Sequence, residues 1–466
     1  MDAEAGRRRW WVLATMTGSL SMVMIDQTVV SVALPTMQHD LHATTALLEL
    51  VVSGYSMAYA VLLVLGGRLG DTHGRRRLFL IGIAGFTTTS LLCGLAPSGM
   101  TLVAARVLQG ATAALMVPQT LSTIQATGDL ASRSRALGWF GATGGLAAVT
   151  GQLLGGVLVS ANIAGTGWRS IFFVNVPVGL VGLAMTARHV PETRAGRRQH
   201  IDYVGTALLA LTLVAVLLPL TEGRALGWPL WSWLLLGCAP VGAVALAAFE
   251  RAHERAGGTP LIPPTVLQHQ SMRRGLLLAV PFFATFAAFM FLYALLTQSF
   301  LHFDALRAGL TLGPMAFAFL LTSLATTPLV ARYGRAVIGA GAGIQLVGLA
   351  VLMATLVVWW PHVTAWELLT GLTIMGAGQG LVMSPLIRVV LSDVPREVAG
   401  AGSGVLTTSQ QTSLALGVAS LGTLFVSLSS PQQIGALHAA LVVLGVQSLV
   451  AVGIVVGSRF LPGRAH

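Results

Sequence analysis

Charge is what this chain has least of: Asp, Glu, Lys and Arg make up 9% of its 466 residues, against about 25% in a soluble globular domain. That shortage, with 55% hydrophobic residues, excludes a water-soluble enzyme or binding module. Lysine is missing altogether. All 27 basic residues are arginine, which reads as the coding bias of a GC-rich genome. The two cysteines, Cys93 and Cys238, sit inside apolar runs without metal-ligand or redox spacing, so no disulfide framework follows. No G-x-x-x-x-G-K-[ST] loop is present to cradle a nucleotide, and the 11 histidines contain no H-E-x-x-H pair. No nucleophile, metal cluster or paired acids converge at one depth, so the chain reads as a non-enzyme with no metal and no cofactor.

What the sequence has instead is length in its apolar runs. A helix needs roughly 20 mostly apolar residues to cross about 30 Å of hydrocarbon. Fourteen such runs are readable, from 10–34 to 436–461. Arg7, Arg8 and Arg9 before the first run resemble the start of a signal peptide, but that run is too long and contains Asp26, so it reads as a retained first helix. The longest polar connections, 188–201 and 250–274, bracket the seventh and eighth runs. The expected organisation is an N-terminal six-helix bundle (1–187), linkers with an inserted helix pair (188–274), and a C-terminal six-helix bundle (275–466). Duplicated bundles with a site near the bilayer midplane are a common plan of secondary transporters.

Between the second and third runs lies a charged stretch, Gly67 to Arg77, expected as a turn at a membrane face. The arginines fix which face. Twenty-three of the 27 fall in the first helix's approach and in the loops on the same side as this stretch, and three, Arg169, Arg224 and Arg307, fall on the opposite side. Basic loops face the cytoplasm, so both termini are expected there. The net charge of +11 is therefore a topology signal, and no nucleic-acid partner is implied.

Asp26 in the first run and Arg106 in the fourth are the two charges placed well inside apolar sequence. A charge near the bilayer centre costs on the order of 2.5–3.5 kcal/mol even on the mild insertion scale, so each needs a partner or water. Counting at about 1.5 Å per residue puts both roughly 9–12 Å below the same boundary, where they can meet. Gln109 follows Arg106 by one turn and shares its polar face; it serves either Arg106 or a substrate. Tyr55 and Tyr59, one turn apart, line a cavity or pack. In the fifth run Gly141 and Gly145, then Gly151 and Gly155, repeat at four residues and give one face of small side chains for close helix contact.

Several of these stretches resemble the motifs of the major facilitator superfamily. Gly67, Leu69, Asp71, Gly74, Arg75 and Arg76 are similar to its G-x-L-x-D-x-x-G-R-R signature, and Arg106 to Gly110 to its R-x-x-Q-G motif. Asp26 to Pro35, Trp168 to Pro177 and Gly376 to Gly380 resemble the fourteen-helix drug–proton antiporter branch. The fifth run departs from that branch: Gly151-Gln152-Leu153-Leu154-Gly155-Gly156 has Gln152 where a proline is usual. The second-half echo of the charged stretch has Ala331 in place of the acid.

The resemblance implies an all-α membrane protein with the major facilitator fold, two six-helix bundles plus two inserted helices. It implies a proton-driven exporter of small amphipathic drugs or antibiotics, embedded in a bacterial plasma membrane as a monomer and using the proton gradient alone. An importer or facilitator of a small metabolite is the alternative, since the charged stretch is shared across the superfamily. Asp26 and Arg106 are the expected proton-coupling pair. Gly67, Asp71, Gly74, Arg75 and Arg76 form a conformational latch, with Asp71 facing the N-terminus of the thirteenth helix. Gly151, Gln152, Gly155 and Gly156 carry the antiporter motif and are expected against the other bundle. Tyr55, Tyr59, Gln109 and Gln379 are candidate substrate-cavity residues.

Overall fold

The computed structural model describes residues 2–126, 147, 150, 151, 153–193, 202–223, 226–258, 260–394, 399–429 and 433–461. Helix is the natural outcome in lipid, where every backbone N–H and C=O must be satisfied within its own segment. Eleven described helices are long and apolar enough to cross a membrane, or 12 if the bent pair Trp10–Val30 and Val32–Leu41, meeting at 45°, is one span.

The first half comprises α1 (Asp2–Leu41), α2 (Thr45–His73), α3 (Arg75–Leu95), α4 (Gly99–Ala126), α5 (153–161) and α6 (Asn175–His189). Next come α7 (Tyr203–Glu222) and α8 (Leu230–Arg255). The second half comprises α9 (Gln270–Leu295), α10 (Gly313–Tyr333), α11 (Ala336–Trp359), α12 (Ala365–Val390), α13 (Ala399–Gly417, extended to Leu428) and α14 (Gly435–Gly457). Residues 127–146, which hold the expected start of the fifth helix with Gly141 and Gly145, lie outside the described residues, as does Gln152.

Within the first half α4 packs between α2 and α3, while α1 and α6 close the bundle; in the second half α12 packs between α10 and α11 in the same way. Glycine makes these approaches possible. A Cβ on Gly110 would stand 2.2 Å from the Tyr55 carbonyl oxygen, and one on Gly380 would stand 2.5 Å from that of Phe319. The two sites match, α4 against α2 and α12 against α10. The halves meet chiefly where α13 lies on α2 and α4. α7 and α8 rest on the first half through α7 against α2, sealed by Leu209, Leu213 and Leu261 with Val61 packed against them.

The charged stretch is more helical than its composition implies. α2 continues through Asp71 to His73 and α3 resumes at Arg75, so a single residue, Gly74 at φ 108°, makes the reversal. At the opposite end, Trp168 donates to Asp40 at 2.9 Å and Arg169 donates to the carbonyls of Gly94 and Ala96 at 3.0 and 2.7 Å, tying the approach to α6 onto the ends of α1 and α3.

Candidate functional site

Asp26 and Arg106 do meet. Arg106 Nη1 lies 2.5 Å from Asp26 Oδ2, with the side chains 1% and 0% exposed. Two amides complete the carboxylate's shell: Gln109 Nε2 donates to Asp26 Oδ1 at 3.0 Å and Asn175 Nδ2 donates to the same oxygen at 2.9 Å. Three helices are joined at this point, since Asp26 is on α1, Arg106 and Gln109 on α4, and Asn175 opens α6.

The guanidinium is equally committed. Its Nε donates to the Val51 carbonyl at 3.2 Å and Nη1 also donates to Gln109 Oε1 at 2.7 Å. Its plane sits over the Tyr55 ring, 4.1 Å from the centroid. A buried ion pair is tolerated only when its remaining hydrogen-bonding groups are satisfied, and here amides, a carbonyl and an aromatic face supply that. The ionised carboxylate is an acceptor only and uses all three donors, Oδ1 taking both amides and Oδ2 the guanidinium, so a proton would cancel the charge this shell is built around. The centre is thus a dry ion pair whose carboxylate is held by three donors from two other helices.

Around the pair, Asn175 Nδ2 also bonds Ser90 Oγ at 3.0 Å, and Ser90 donates to the Phe172 carbonyl at 2.9 Å. Cys93 Sγ donates to Gln109 Oε1 at 3.5 Å. Asn175, Ser90 and Cys93 are not among the residues that sequence reasoning marks for this site. Asn175 lies within the Trp168–Pro177 stretch that carries the resemblance, and a buried Asn in an apolar run is the signal that points to it.

Of the candidate cavity residues, Gln109 is spent on Asp26 and Arg106, and Tyr55 packs under the guanidinium. Tyr59 is fully buried, its ring 6.1 Å from that of Tyr55, and neither hydroxyl has a hydrogen-bond partner among the described residues. Gln379 is separate from this cluster, on α12, fully buried with both amide atoms unpartnered among the described residues. It occupies in the second half the place Gln109 has in the first. The counterpart of Arg106 in that comparison is Gly376, whose Cβ would stand 2.3 Å from the Met315 carbonyl oxygen. The second half therefore carries no cation at the equivalent point.

The charged stretch is gripped by a segment that the sequence motifs do not implicate. Glu192 Oε1 accepts from the Arg76 backbone N–H at 3.2 Å, and the Thr193 carbonyl accepts from that of Arg75 at 3.0 Å. A Cβ on Gly74 would stand 2.6 Å from Glu192 Oε1, so glycine is required both for φ and for space. Arg75 donates to the Ser122 carbonyl at 3.3 Å and Arg76 to that of Ala187. Gly70 makes room for Gln119, whose amide donates to the Gly66 carbonyl at 2.7 Å. Gly67 faces Pro118. The side chain of Asp71 and residues 395–398 before α13 lie outside the described residues, so the expected latch contact does too.

The glycines of the fifth run pack differently from expectation. A Cβ on Gly151 would stand 2.0 Å from Thr28 Oγ1, and one on Gly155 3.0 Å from Val29. Both meet α1 of their own half rather than a helix of the other bundle, because α5 lies against the face of α1 that follows Asp26. Gly156 is buried beside them. Among the described residues no group of three or more His, Cys, Asp or Glu side chains is placed to hold a metal ion.

A bundle of membrane-length helices in two similarly packed halves, with a buried ion pair inside one of them, defines a polytopic membrane protein built on the transporter plan. The sequence pattern of the Major Facilitator Superfamily matches residues 16–418, and the chain belongs to that family of transporters. It is 37% identical to the "Probable actinorhodin transporter" of Streptomyces coelicolor over 91% of this chain and 74% of that protein. It is 35% identical to the "Puromycin resistance protein pur8" of Streptomyces alboniger, covering 89% and 82% of the two chains. It is also 35% identical to the "Cephamycin export protein CmcT" of Amycolatopsis lactamdurans, over 86% and 82%. Among solved structures, the human organic anion transporter MFSD10 shares the fold with a TM-score of 0.62 at 16% identity, over 96% of this chain and 99% of that one.

Proposed function

We propose that this protein exports antibiotics or related amphipathic drugs from the cell by alternating access, driven by the proton gradient. Export is supported by relatives at 35–37% identity whose names describe antibiotic transport, resistance or export. The single structural observation that carries the coupling is the Asp26 carboxylate, fully buried yet held by Arg106, Gln109 and Asn175. A proton on Asp26 would cancel the charge that holds the Arg106 guanidinium and so weaken the tie between α1 and α4, which links protonation to conformation.

In this reading the chain crosses a bacterial plasma membrane fourteen times as six, two and six helices, with both termini in the cytoplasm, a placement the arginine distribution supports. It acts as a monomer without a cofactor. Gln379 offers an amide with no partner among the described residues, where the second half has no counterpart of Arg106, and is the better candidate for a polar substrate contact, while Gln109 belongs to the proton centre.

The test is a resistance panel in a susceptible host lacking its own exporters. Cells expressing the protein should tolerate one or more amphipathic antibiotics of the panel, puromycin among them, several-fold better than empty cells, and should expel a lipophilic dye until the proton gradient is collapsed. Dye uptake that the protein accelerates inward, or expulsion indifferent to collapse of the gradient, would refute the assignment.

A further inference from the structure

A second acidic centre lies where the inserted pair meets the first half. Asp202 caps the N-terminus of α7, its Oδ1 accepting the Gly205 N–H at 2.7 Å. Glu250, near the end of α8, has its Oε2 accepting the Ile262 N–H at 3.2 Å. Each carboxylate therefore uses one oxygen to hold backbone. The other two, Asp202 Oδ2 and Glu250 Oε1, are buried and have no partner among the described residues. The two residues are 8% and 2% exposed.

These two oxygens border the same space beside a glycine. The position a Cβ would take on Gly205 lies 2.5 Å from Asp202 Oδ2 and 2.6 Å from Glu250 Oε1, so their separation is bounded by the sum of those distances. Any larger residue at 205 would occupy the space they share. From α2, Arg68 reaches the same place: its Nη2 donates to the Leu261 carbonyl at 3.1 Å and to that of Pro260, the peptides beside the one Glu250 holds. The described part of α13, which also touches α7, contributes no charged side chain. On α8 itself, Glu254 is turned away to Thr265 at 2.9 Å, and the His253 ring lies against Gly258.

Two buried acceptors with no donor between them are an incomplete arrangement. Two adjacent carboxylates repel, and a single proton resolves both problems by turning one oxygen into a donor to the other. A metal cation is disfavoured because the Arg68 guanidinium already stands at this junction. We propose that Asp202 and Glu250 form a proton-binding carboxyl pair, separate from Asp26, which fastens the inserted helices to α2 when one proton is bound and loosens them when it leaves. The site's ligand is the proton, and its output is the grip of α7 and α8 on the helix that ends in the charged stretch.

The sign follows from linkage. A proton bound by the folded pair and not by the unfolded chain gives stability that is present at acid pH and lost as pH rises through the pair's titration. The experiment is infrared difference spectroscopy between acid and neutral pH on the full-length protein in liposomes, in an Asp26→Asn background that silences the other centre. A protonated-carboxyl carbonyl band, shifted in heavy water, is expected there. It should disappear when either Asp202→Asn or Glu250→Gln is added. Thermal unfolding supplies the second readout: the midpoint should fall with rising pH in the Asp26→Asn protein, and that dependence should flatten in both added variants, whose neutral amides mimic the protonated state. A band that persists in both variants, no band at all, a pH dependence that neither variant alters, or a midpoint that responds to sodium at fixed pH would each overturn the proposal.

Discussion

At the residue scale the account rests on one carboxylate and its three donors. Removing Arg106 strands Asp26 in a dry site, and breaking a buried pair from one side typically costs about 3–5 kcal/mol. Arg106→Ala should therefore lower the thermal midpoint measurably in detergent, and Asp26→Asn/Arg106→Ala should recover part of the loss because no charge is left unpaired. Asn175→Leu removes a donor without removing charge and is expected to destabilise by about 1–3 kcal/mol while leaving the protein folded. Its midpoint should fall less than that of Arg106→Ala; an equal or larger fall would mean that the ion pair is not what chiefly holds the three helices together. Much of this centre is legible in the sequence, because a charge in an apolar run is costly and helix rise alone brings Asp26 and Arg106 to one depth. Gln109 follows from its spacing. Asn175 shows in the sequence only as a polar residue in an apolar run and Ser90 not at all: neither is charged, and their importance comes from the way α6 and α3 face α1, which only tertiary packing reveals. Glu192 escapes sequence reasoning for the same reason, lying 116 residues from the N–H it accepts.

At the element scale the determining feature is close approach between α4 and α2 and between α12 and α10. Lipid offers no hydrophobic drive for helices to associate, so packing contacts between small residues hold them. Gly110→Val would place a side chain onto the Tyr55 backbone, where no flexible group can yield, and overpacking of this kind costs about 1–3 kcal/mol or more. Gly445→Ala on α14, whose Cβ meets nothing within 4 Å, is the matched control. The prediction is a clear loss of folded yield and thermal midpoint for Gly110→Val and none for Gly445→Ala; equal behaviour would show that the α2–α4 contact is not limiting. Most helix positions are readable from the sequence to within a few residues because the apolar runs are long. Two element-level expectations need revision. The charged stretch is helix on either side of Gly74, since one glycine at positive φ suffices to reverse the chain, and the fifth-run glycines Gly151 and Gly155 serve α1, since small-residue spacing identifies a contact face without naming what lies on it.

At the scale of the whole molecule, the two halves share a backbone plan but not a charge plan. Arg106 has Gly376 as its counterpart, and Asp71 has Ala331. The buried ion pair lies in the first half, while at the matching place the second half carries the uncharged Gly376 and Gln379. The halves meet where α13 lies on α2 and α4, which places α2, the helix that carries Asp71, among the elements that must part when the protein changes state. If Asp71 latches that contact, Asp71→Asn should increase labelling of single cysteines placed beside Gly74, and unchanged labelling would reduce the residue to a topology marker.

The central claim is that the buried Asp26 centre couples proton movement to export. The most direct measurement uses purified protein in sealed liposomes carrying a trapped pH indicator, with an exported antibiotic identified from the resistance panel added on one side. The account predicts that substrate addition drives proton flux in the opposite direction, that an imposed pH gradient concentrates the antibiotic, and that Asp26→Asn binds the antibiotic yet shows neither flux. Proton-coupled accumulation undiminished in the folded Asp26→Asn protein would contradict it.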